Sequence, residues 1–176
     1  MLHQLSIAIR VTVLSVIALG LLYPLAMTGI VHVAFAAGPN PDLIGQNFSK
    51  PQYFWGRPSA AGKGYDPTNT GGTNLGPTSK KLMDATRAAI ASLEKANPGA
   101  GVPPMDLVTS SASGIDPDIS PEAAYYQVAR VAKARGKDPA AIRVLVAHAE
   151  HGRTLGFLGE PRVNVLDLNL ALDAAR

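Results

Sequence analysis

The sequence lacks cysteine altogether, and its first 41 residues lack charge apart from Arg10. Without cysteine the chain forms no disulfide and has no thiol nucleophile, iron–sulfur cluster or cysteine-bound zinc. The remaining residues carry all 13 acidic groups and 15 of the 16 basic groups, an excess of two positive charges. Such a small excess is no evidence for a nucleic-acid partner. The chain therefore divides into an apolar leader and a polar part of the size of one domain.

The leader is long enough to cross a membrane as a helix. Residues 11–36 contain no Asp, Glu, Lys or Arg, and a spanning helix needs about 20 apolar residues. We predict an uncleaved anchor over residues 1–36, with its span at about 11–33 and a kink at Pro24. The alternative is a cleaved secretory signal, because Ala34-Phe35-Ala36 resembles a cleavage site. Typical signal cores are shorter, about 7–15 residues.

Basic residues near the span predict its orientation. Arg10 precedes the span, and the next Lys or Arg after it is Lys50. Because basic residues are retained on the cytoplasmic side, we predict a single-pass protein with a cytoplasmic N-terminus and an external domain. In a bacterium this places the chain in the inner (plasma) membrane, with its domain in the periplasm or on the outer face.

Residues 37–176 are expected to form one compact α+β domain. Ser120-Pro121 and Asp138-Pro139 are typical helix starts, and Gly136 is typical of a helix end. The predicted helices cover residues 79–96, 121–135, 139–150 and 168–175. Short strands are predicted at residues 40–47, 53–55, 105–109 and 162–166, with polar loops at 56–78 and 110–118.

Three local patterns resemble ligand sites but depart from them at an informative residue. The glycine-rich loop 71–78 has Pro77 where a phosphate loop needs Lys, which leaves a generic anion site at the next helix start as the alternative. The acidic run from Asp116 has Pro121 where a calcium loop needs Gly. His148 and His151 have no third ligand at zinc-site spacing. We predict no catalytic residue and no metal site.

Two further patterns indicate binding rather than catalysis. Tyr53-Phe54-Trp55-Gly56-Arg57 is rich in the residue types that dominate binding hot spots, and its aromatic side chains either fill the core or face a partner. The helix pair 121–135 and 139–150 carries several basic side chains, so the alternative function is a membrane-tethered basic helix-turn-helix regulator. The predicted topology argues against that alternative.

Several long blocks in one order resemble a known family. They are LIGQNF (43–48), YFWGRPSA (53–60), YDPTNTGGTNLGPTS (65–79), DLVTSSASGIDPDISPEAAYYQVARVAKARG (106–136) and GEPRVNVLDLNLALD (159–173). Over these blocks the chain resembles the KdpC family, an accessory component of the Kdp-type potassium-transporting P-type ATPase. Asp118 stands where many relatives have His, and the stretch 36–43 is shorter than the linker of relatives.

The resemblance implies an accessory, non-catalytic subunit of a high-affinity ATP-driven potassium uptake complex, needed for its assembly and activity. Its partners are then the potassium-conducting and ATP-hydrolysing subunits and the membrane, with no nucleic acid and no tightly bound cofactor. No Asp in the chain is followed by Lys, so the Asp-Lys-Thr-Gly block that a P-type pump phosphorylates is absent.

The resemblance also implies specific contacts. The family is described as a catalytic chaperone that raises ATP affinity, and Gln127 matches the glutamine nominated for nucleotide contact, so ATP enters as a ligand by resemblance. An external domain conflicts with that contact. We expect Tyr53, Trp55 and Arg57 to form part of the partner interface, and we expect Gly20 and Gly29 to let the span approach another helix closely.

Overall fold

The computed structural model describes residues 2–34 and 41–175. The chain divides into two compact units, Met1–Asn40 and Pro41–Arg176. The predicted boundary between residues 36 and 37 lies outside the described residues, as do Phe35 and Ala36 of the cleavage-like motif. Each unit is described by itself.

The first unit is one apolar helix, Leu2–Ala34, long and apolar enough to cross a membrane. It consists of α1 (Leu2–Ser15), a π-helical stretch (Val16–Leu22) and α2 (Tyr23–Ala34). The helix begins well before the predicted span, because the residues preceding Val11 are also good helix formers. None of its described residues is buried, as expected for a helix whose apolar surface is left for other contacts.

The π-helical stretch ends at Leu22, two residues before Pro24. Proline has no N–H to donate to Gly20, four residues back, and its ring crowds that carbonyl. In the wider π-helical turn the backbone hydrogen bonds reach one residue further back, since the Tyr23 N–H donates to the Ala18 carbonyl, five residues back. A π-turn is one of the ordinary ways in which a helix accommodates such a residue.

The second unit mixes helices with a small sheet, which confirms the predicted α+β class. Its helices are α3 (Lys80–Ala96), α4 (Met105–Val108), α5 (Pro121–Arg135), α6 (Pro139–Ala149) and α7 (Val165–Ala174), after a 3-10 turn at Pro41–Leu43. Its strands are β1 (Asp118–Ile119), β2 (Glu150–His151) and β3 (Arg162–Asn164). The sheet order is β1-β3-β2, and both pairs are antiparallel.

Helix ends lie where capping chemistry predicts them. The Ser120 side chain accepts from the Ala123 N–H, and Asp138 accepts from the Ala140 N–H. Gly136 ends α5 with φ +64°, a left-handed conformation that glycine adopts without a side-chain clash. Asn164 caps α7 by accepting from Leu166 and Asp167. α7 therefore begins at Val165, and β3 is shorter than predicted.

Three predicted strands are wrong. Of the predicted strand 40–47, the described residues 41–47 contain only the 3-10 turn at Pro41–Leu43 followed by irregular chain, and residues 53–55 are also irregular. Residues 105–108 are α4, which follows Pro104 and is anchored where Asp106 accepts from the N–H and hydroxyl of Ser120. Strand-like composition therefore does not decide the local structure of these three stretches.

The core lies between the sheet and helices α5, α6 and α7. Its fully buried large apolar side chains are Phe54, Val128, Val131, Ile142, Val146, Val163, Leu168 and Leu172. Phe54 is the exception in this set, since it comes from irregular chain rather than from a helix or strand. This placement fixes the stretch on which the candidate interface residues lie.

Candidate docking surface

The aromatic segment, residues 51–57, has one buried and several half-buried large side chains. Phe54 is fully buried in the core, whereas Tyr53, Trp55 and Arg57 are half-buried. The interpretation as core holds for Phe54, and a partner contact at the other three residues stays a prediction. One aromatic fills the core, and its neighbours keep part of their surface in solvent, where a partner has access to it.

Two buried amides hold the backbone of this segment. Asn169 on α7 accepts from the Phe54 N–H at 2.9 Å and donates to the Phe54 carbonyl at 3.0 Å. Gln127 on α5 accepts from the Trp55 N–H at 2.8 Å and donates to the Trp55 carbonyl at 3.1 Å. Each side-chain amide thus bonds to both the N–H and the carbonyl of one residue, as the backbone of a neighbouring strand would. Because these two peptide groups are already satisfied, the segment needs no strand partner.

Arg130 completes this network from the next turn of α5. Its guanidinium donates to the carbonyls of Pro51 (2.6 Å) and Tyr53 (2.9 Å) and to Gln127 Oε1 (2.5 Å), and its Nε donates to Asn97. The cation also lies 3.9 Å from the centre of the Trp55 ring. Burial lowers the pKa of Arg130 to about 10, so the group stays cationic at neutral pH.

Arg135 fastens the beginning of the segment to α7. It donates to the Gln52 carbonyl at 2.8 Å and to Asp173 at 2.6 Å, and it lies over the Tyr53 ring. The Tyr53 hydroxyl donates to the same Asp173 carboxylate. The hydrogen bond from Arg135 is the main reason that the pKa of Asp173 is lowered.

Arg57 ends the segment at a polar corner of the domain. Its Nη1 lies 3.0 Å from the carboxylate of Asp116, while its Nε is buried and makes no hydrogen bond. Tyr65 donates its hydroxyl to the Arg57 carbonyl. Burial, with a smaller contribution from Asp116, raises the pKa of Tyr65 to about 12. Arg57 is therefore already engaged, although part of its surface remains accessible.

An open groove of about 610 Å³ runs beside the segment. Trp55, Arg57, Tyr65 and Lys63 contribute aromatic and cationic surface, and Phe48, Leu93 and Leu107 contribute apolar surface. Arg57 and Lys63 are the only charged residues that line the groove in the described chain. This chemistry suits a protein side chain or loop, and it provides no nucleophile with an adjacent base.

The structure places the other predicted residues in different environments. Gln127 is fully buried, and its amide is occupied by Trp55, Ala123 and Arg130. A nucleotide contact at Gln127 stays a prediction, and such a contact requires this network to open. Across residues 2–34 and 41–175, no three His, Asp or Glu side chains gather as a metal site.

Gly20 and Gly29 of the first unit lie on open surface. A Cβ at Gly29 would meet nothing within 4 Å, and at Gly20 only Val16 comes as close as 3.9 Å. Gly29 also borders a shallow apolar groove of about 500 Å³ with Leu25, Ile30 and Val33. Both positions leave room for another helix, and whether one packs there stays a prediction.

The helix pair considered for DNA binding does not present a continuous basic face. Arg130 is buried, Arg135 is paired with Asp173, and Arg143 lies over the Tyr125 ring. The bracing role of Gln127, Arg130 and Asn169 was missed by sequence reasoning, which named Gln127 only as a possible nucleotide contact. The three residues could have been found because they are polar residues among the apolar residues of α5 and α7. Such residues are typically buried polar groups that form hydrogen bonds inside the protein.

Comparisons with known proteins agree over nearly the whole chain. A family model described as K+-transporting ATPase, c chain, matches residues 5–174. Relatives named potassium-transporting ATPase KdpC subunit include one from Koribacter versatilis, 46% identical over 96% of this chain and 93% of its own. Another from Variovorax paradoxus is 52% identical over 89% and 88%, and one from Bradyrhizobium diazoefficiens is 48% identical over 99% and 98%.

Proposed function

This chain belongs to the KdpC family, the c chain of K+-transporting ATPases, and we propose that it is an accessory subunit needed for assembly and activity of the potassium uptake complex. The match over residues 5–174 carries the proposal. The absence of any Asp-Lys pair supports a non-catalytic role. The proposed partners are the potassium-conducting and ATP-hydrolysing subunits.

The direct test is to omit the chain from a co-expressed complex. We expect the remaining subunits to co-purify in lower yield and to lose K+-dependent ATPase activity, with both restored when the full chain is supplied. Full activity of a stable complex without this chain would contradict the proposal.

We propose that the domain lies on the outer side of the membrane, in keeping with Arg10 before the span and no Lys or Arg until Lys50. Because the chain has no cysteine, Thr73→Cys gives a single label site at an exposed residue of the polar loop. A membrane-impermeant maleimide should label it in intact spheroplasts. Labelling only after lysis would place the domain inside.

Docking on the potassium-conducting subunit is the proposed role of the exposed parts of Tyr53, Trp55 and Arg57, with Gly20 and Gly29 contacting a neighbouring span. The double variant Trp55→Ala, Arg57→Ala should lower complex yield and K+-dependent ATPase activity. The unfolding temperature of the variant is the control, since Trp55 also stacks on Arg130. Unchanged yield and activity would remove these residues from the interface.

We propose that this chain affects the ATP affinity of the ATP-hydrolysing subunit by docking in the complex, and not by binding a nucleotide at Gln127. The supporting observation is that both ends of the Gln127 amide are used inside the domain. For Gln127→Leu in the assembled complex, we expect any change in KM for ATP to accompany a lower unfolding temperature. A raised KM with unchanged stability and subunit retention would favour direct nucleotide contact.

A further inference from the structure

The connection between β2 and β3 displays a compact group of large apolar side chains. We call residues 153–160 the hairpin tip. Leu155 is 79% exposed, Phe157 69% and Leu158 50%. Neighbouring exposed side chains of this size at the end of a hairpin are unusual for a surface that meets only water.

The hairpin tip is held in one shape by its own backbone. The Thr154 N–H donates to the Leu158 carbonyl at 2.9 Å, and the Leu158 N–H donates back to the Thr154 carbonyl at 2.9 Å. An ion pair between Arg153 and Glu160 closes its base, where β2 and β3 pair. The apolar side chains are therefore presented by ordered structure, which reduces the entropy lost when they bind.

Leu155 has a backbone conformation that its side chain does not favour. Its φ is +54°, and Gly156 follows at +81°, so the two central residues of the turn both have positive φ. Asn or Asp followed by Gly fits such a turn better than Leu does. The domain itself gains little from this leucine, because most of the side chain is exposed. A disfavoured conformation at an exposed apolar residue points to a binding function.

The charges around the hairpin tip indicate what kind of surface covers it. Arg153 is paired with Glu160, and Arg162 at the start of β3 is paired with Asp118 at 3.1 Å. The flanking arginines thus have carboxylate partners within the chain, which disfavours an anionic lipid surface as the main partner. An uncharged apolar pocket on a protein matches the three side chains.

The small size of the patch indicates that it makes its contact within an already assembled complex. A stable interface between free proteins covers about 800 Å² on each side, and three side chains supply only part of this. A contact made by a chain already held in the same complex needs less, because the second binding event is effectively intramolecular. This argument disfavours a second free copy of the chain as the occupant.

We propose that the hairpin tip inserts Leu155, Phe157 and Leu158 into an apolar pocket on another subunit of the K+-transporting ATPase. The proposal rests on the accessory function proposed above and adds a second docking surface to it. The surface is separate from the aromatic segment, which is held by α5 and α7.

Photo-crosslinking in the assembled complex tests the identity of the partner. A photoreactive phenylalanine analogue replaces Phe157 in the full chain, co-expressed with the other subunits. We expect an irradiated adduct between this chain and another subunit of the complex, mapped by mass spectrometry. Adducts only with lipid, only with a second copy, or with nothing would overturn the proposal.

Leu155→Asn separates binding from folding. The change suits the positive φ and removes the apolar side chain, so we expect the unfolding temperature of the full chain to stay the same or rise. Dissociation of the chain from the complex should become about tenfold faster, since burial of one leucine is worth at least that factor. Val102→Asn, at a residue 84% exposed elsewhere, is the matched control and should change neither quantity.

The two proposals fail in different ways. If the unaltered chain does not co-purify with the other subunits, the accessory function is wrong. If the unaltered chain co-purifies but the Leu155→Asn variant dissociates from the complex at the same rate, the hairpin tip is not a docking surface. The same holds if the variant dissociates faster but also has a lower unfolding temperature.

Discussion

The aromatic segment and the hairpin tip contain similar residues and use them in opposite ways. Each combines large apolar side chains with arginine, and neither is regular helix or strand. In the aromatic segment, Phe54 is buried and the backbone is held by Gln127, Arg130 and Asn169. In the hairpin tip, Phe157 is exposed and the backbone is held by its own hydrogen bonds.

The difference shows what decides whether an aromatic motif is core or surface. Both segments contain Phe, Gly and Arg, so the presence of these residue types does not decide. The deciding factor is whether another element supplies polar partners for the segment's backbone, because buried peptide groups need hydrogen bonds. Helices α5 and α7 supply them to residues 51–55, and no such bracing is seen at residues 153–160 within the described chain.

The sharpest test of this comparison is a matched pair of phenylalanine truncations. Phe54→Ala should lower the free energy of unfolding by about 3–5 kcal/mol, as expected for a buried phenylalanine, and Phe157→Ala should change it by less than about 0.5 kcal/mol. Denaturant unfolding of the full chain in detergent can be followed by fluorescence, since Trp55 is the only tryptophan. Equal costs would contradict the contrast between the two segments.

Arg130→Met tests the guanidinium that holds the aromatic segment. The change leaves the carbonyls of Pro51 and Tyr53 without their donor, and we expect a loss of about 3 kcal/mol in the free energy of unfolding. Arg130→Lys is the control: it keeps the charge but not the planar fork, so it should recover only part of the loss. Full recovery by lysine would show that charge alone holds the segment.

Asn169→Leu removes a smaller part of the same bracing. The N–H and carbonyl of Phe54 lose their partners, at a cost of about 2 kcal/mol in the free energy of unfolding. Asn69→Leu, at an exposed residue of the polar loop, is the matched control and should cost less than about 0.5 kcal/mol. A negligible cost for Asn169→Leu would mean that water replaces the amide and that the bracing is dispensable.

The helices could be predicted because their end signals act over a few residues. Ser120 and Asp138 bond to N–H groups two or three residues away, and Gly136 acts through its own dihedral angle. The bracing of the aromatic segment joins residues 72 to 115 positions apart, and no local pattern encodes such pairs. For this reason composition alone predicts a strand where the segment is irregular.

One of the two candidate docking surfaces could be predicted from the sequence and the other could not. Tyr53, Trp55 and Arg57 stand out by residue type, since tyrosine, tryptophan and arginine are enriched at binding hot spots. The exposed hairpin tip was missed because Leu155, Phe157 and Leu158 are residue types that usually fill a core. Their exposure depends on where β2 and β3 place the turn, which the sequence does not show.

The smallest expected effects concern the ion pair that fastens each segment. Asp173→Asn breaks the pair with Arg135 and should cost less than about 1 kcal/mol at neutral pH, the range of solvent-exposed ion pairs. Because the pKa of Asp173 is lowered in the folded chain, its contribution to stability is present above about pH 4 and is lost as the pH falls through the folded pKa. The free energies of unfolding of the variant and the unaltered chain should therefore become equal in acid.

Glu160→Gln, at the base of the hairpin tip, should lower the free energy of unfolding by less than Asp173→Asn does, because both partners of that ion pair are substantially exposed. Thermal unfolding of the full chain in detergent at several pH values measures both, and a larger cost for Glu160→Gln than for Asp173→Asn would reverse the contrast between the segments.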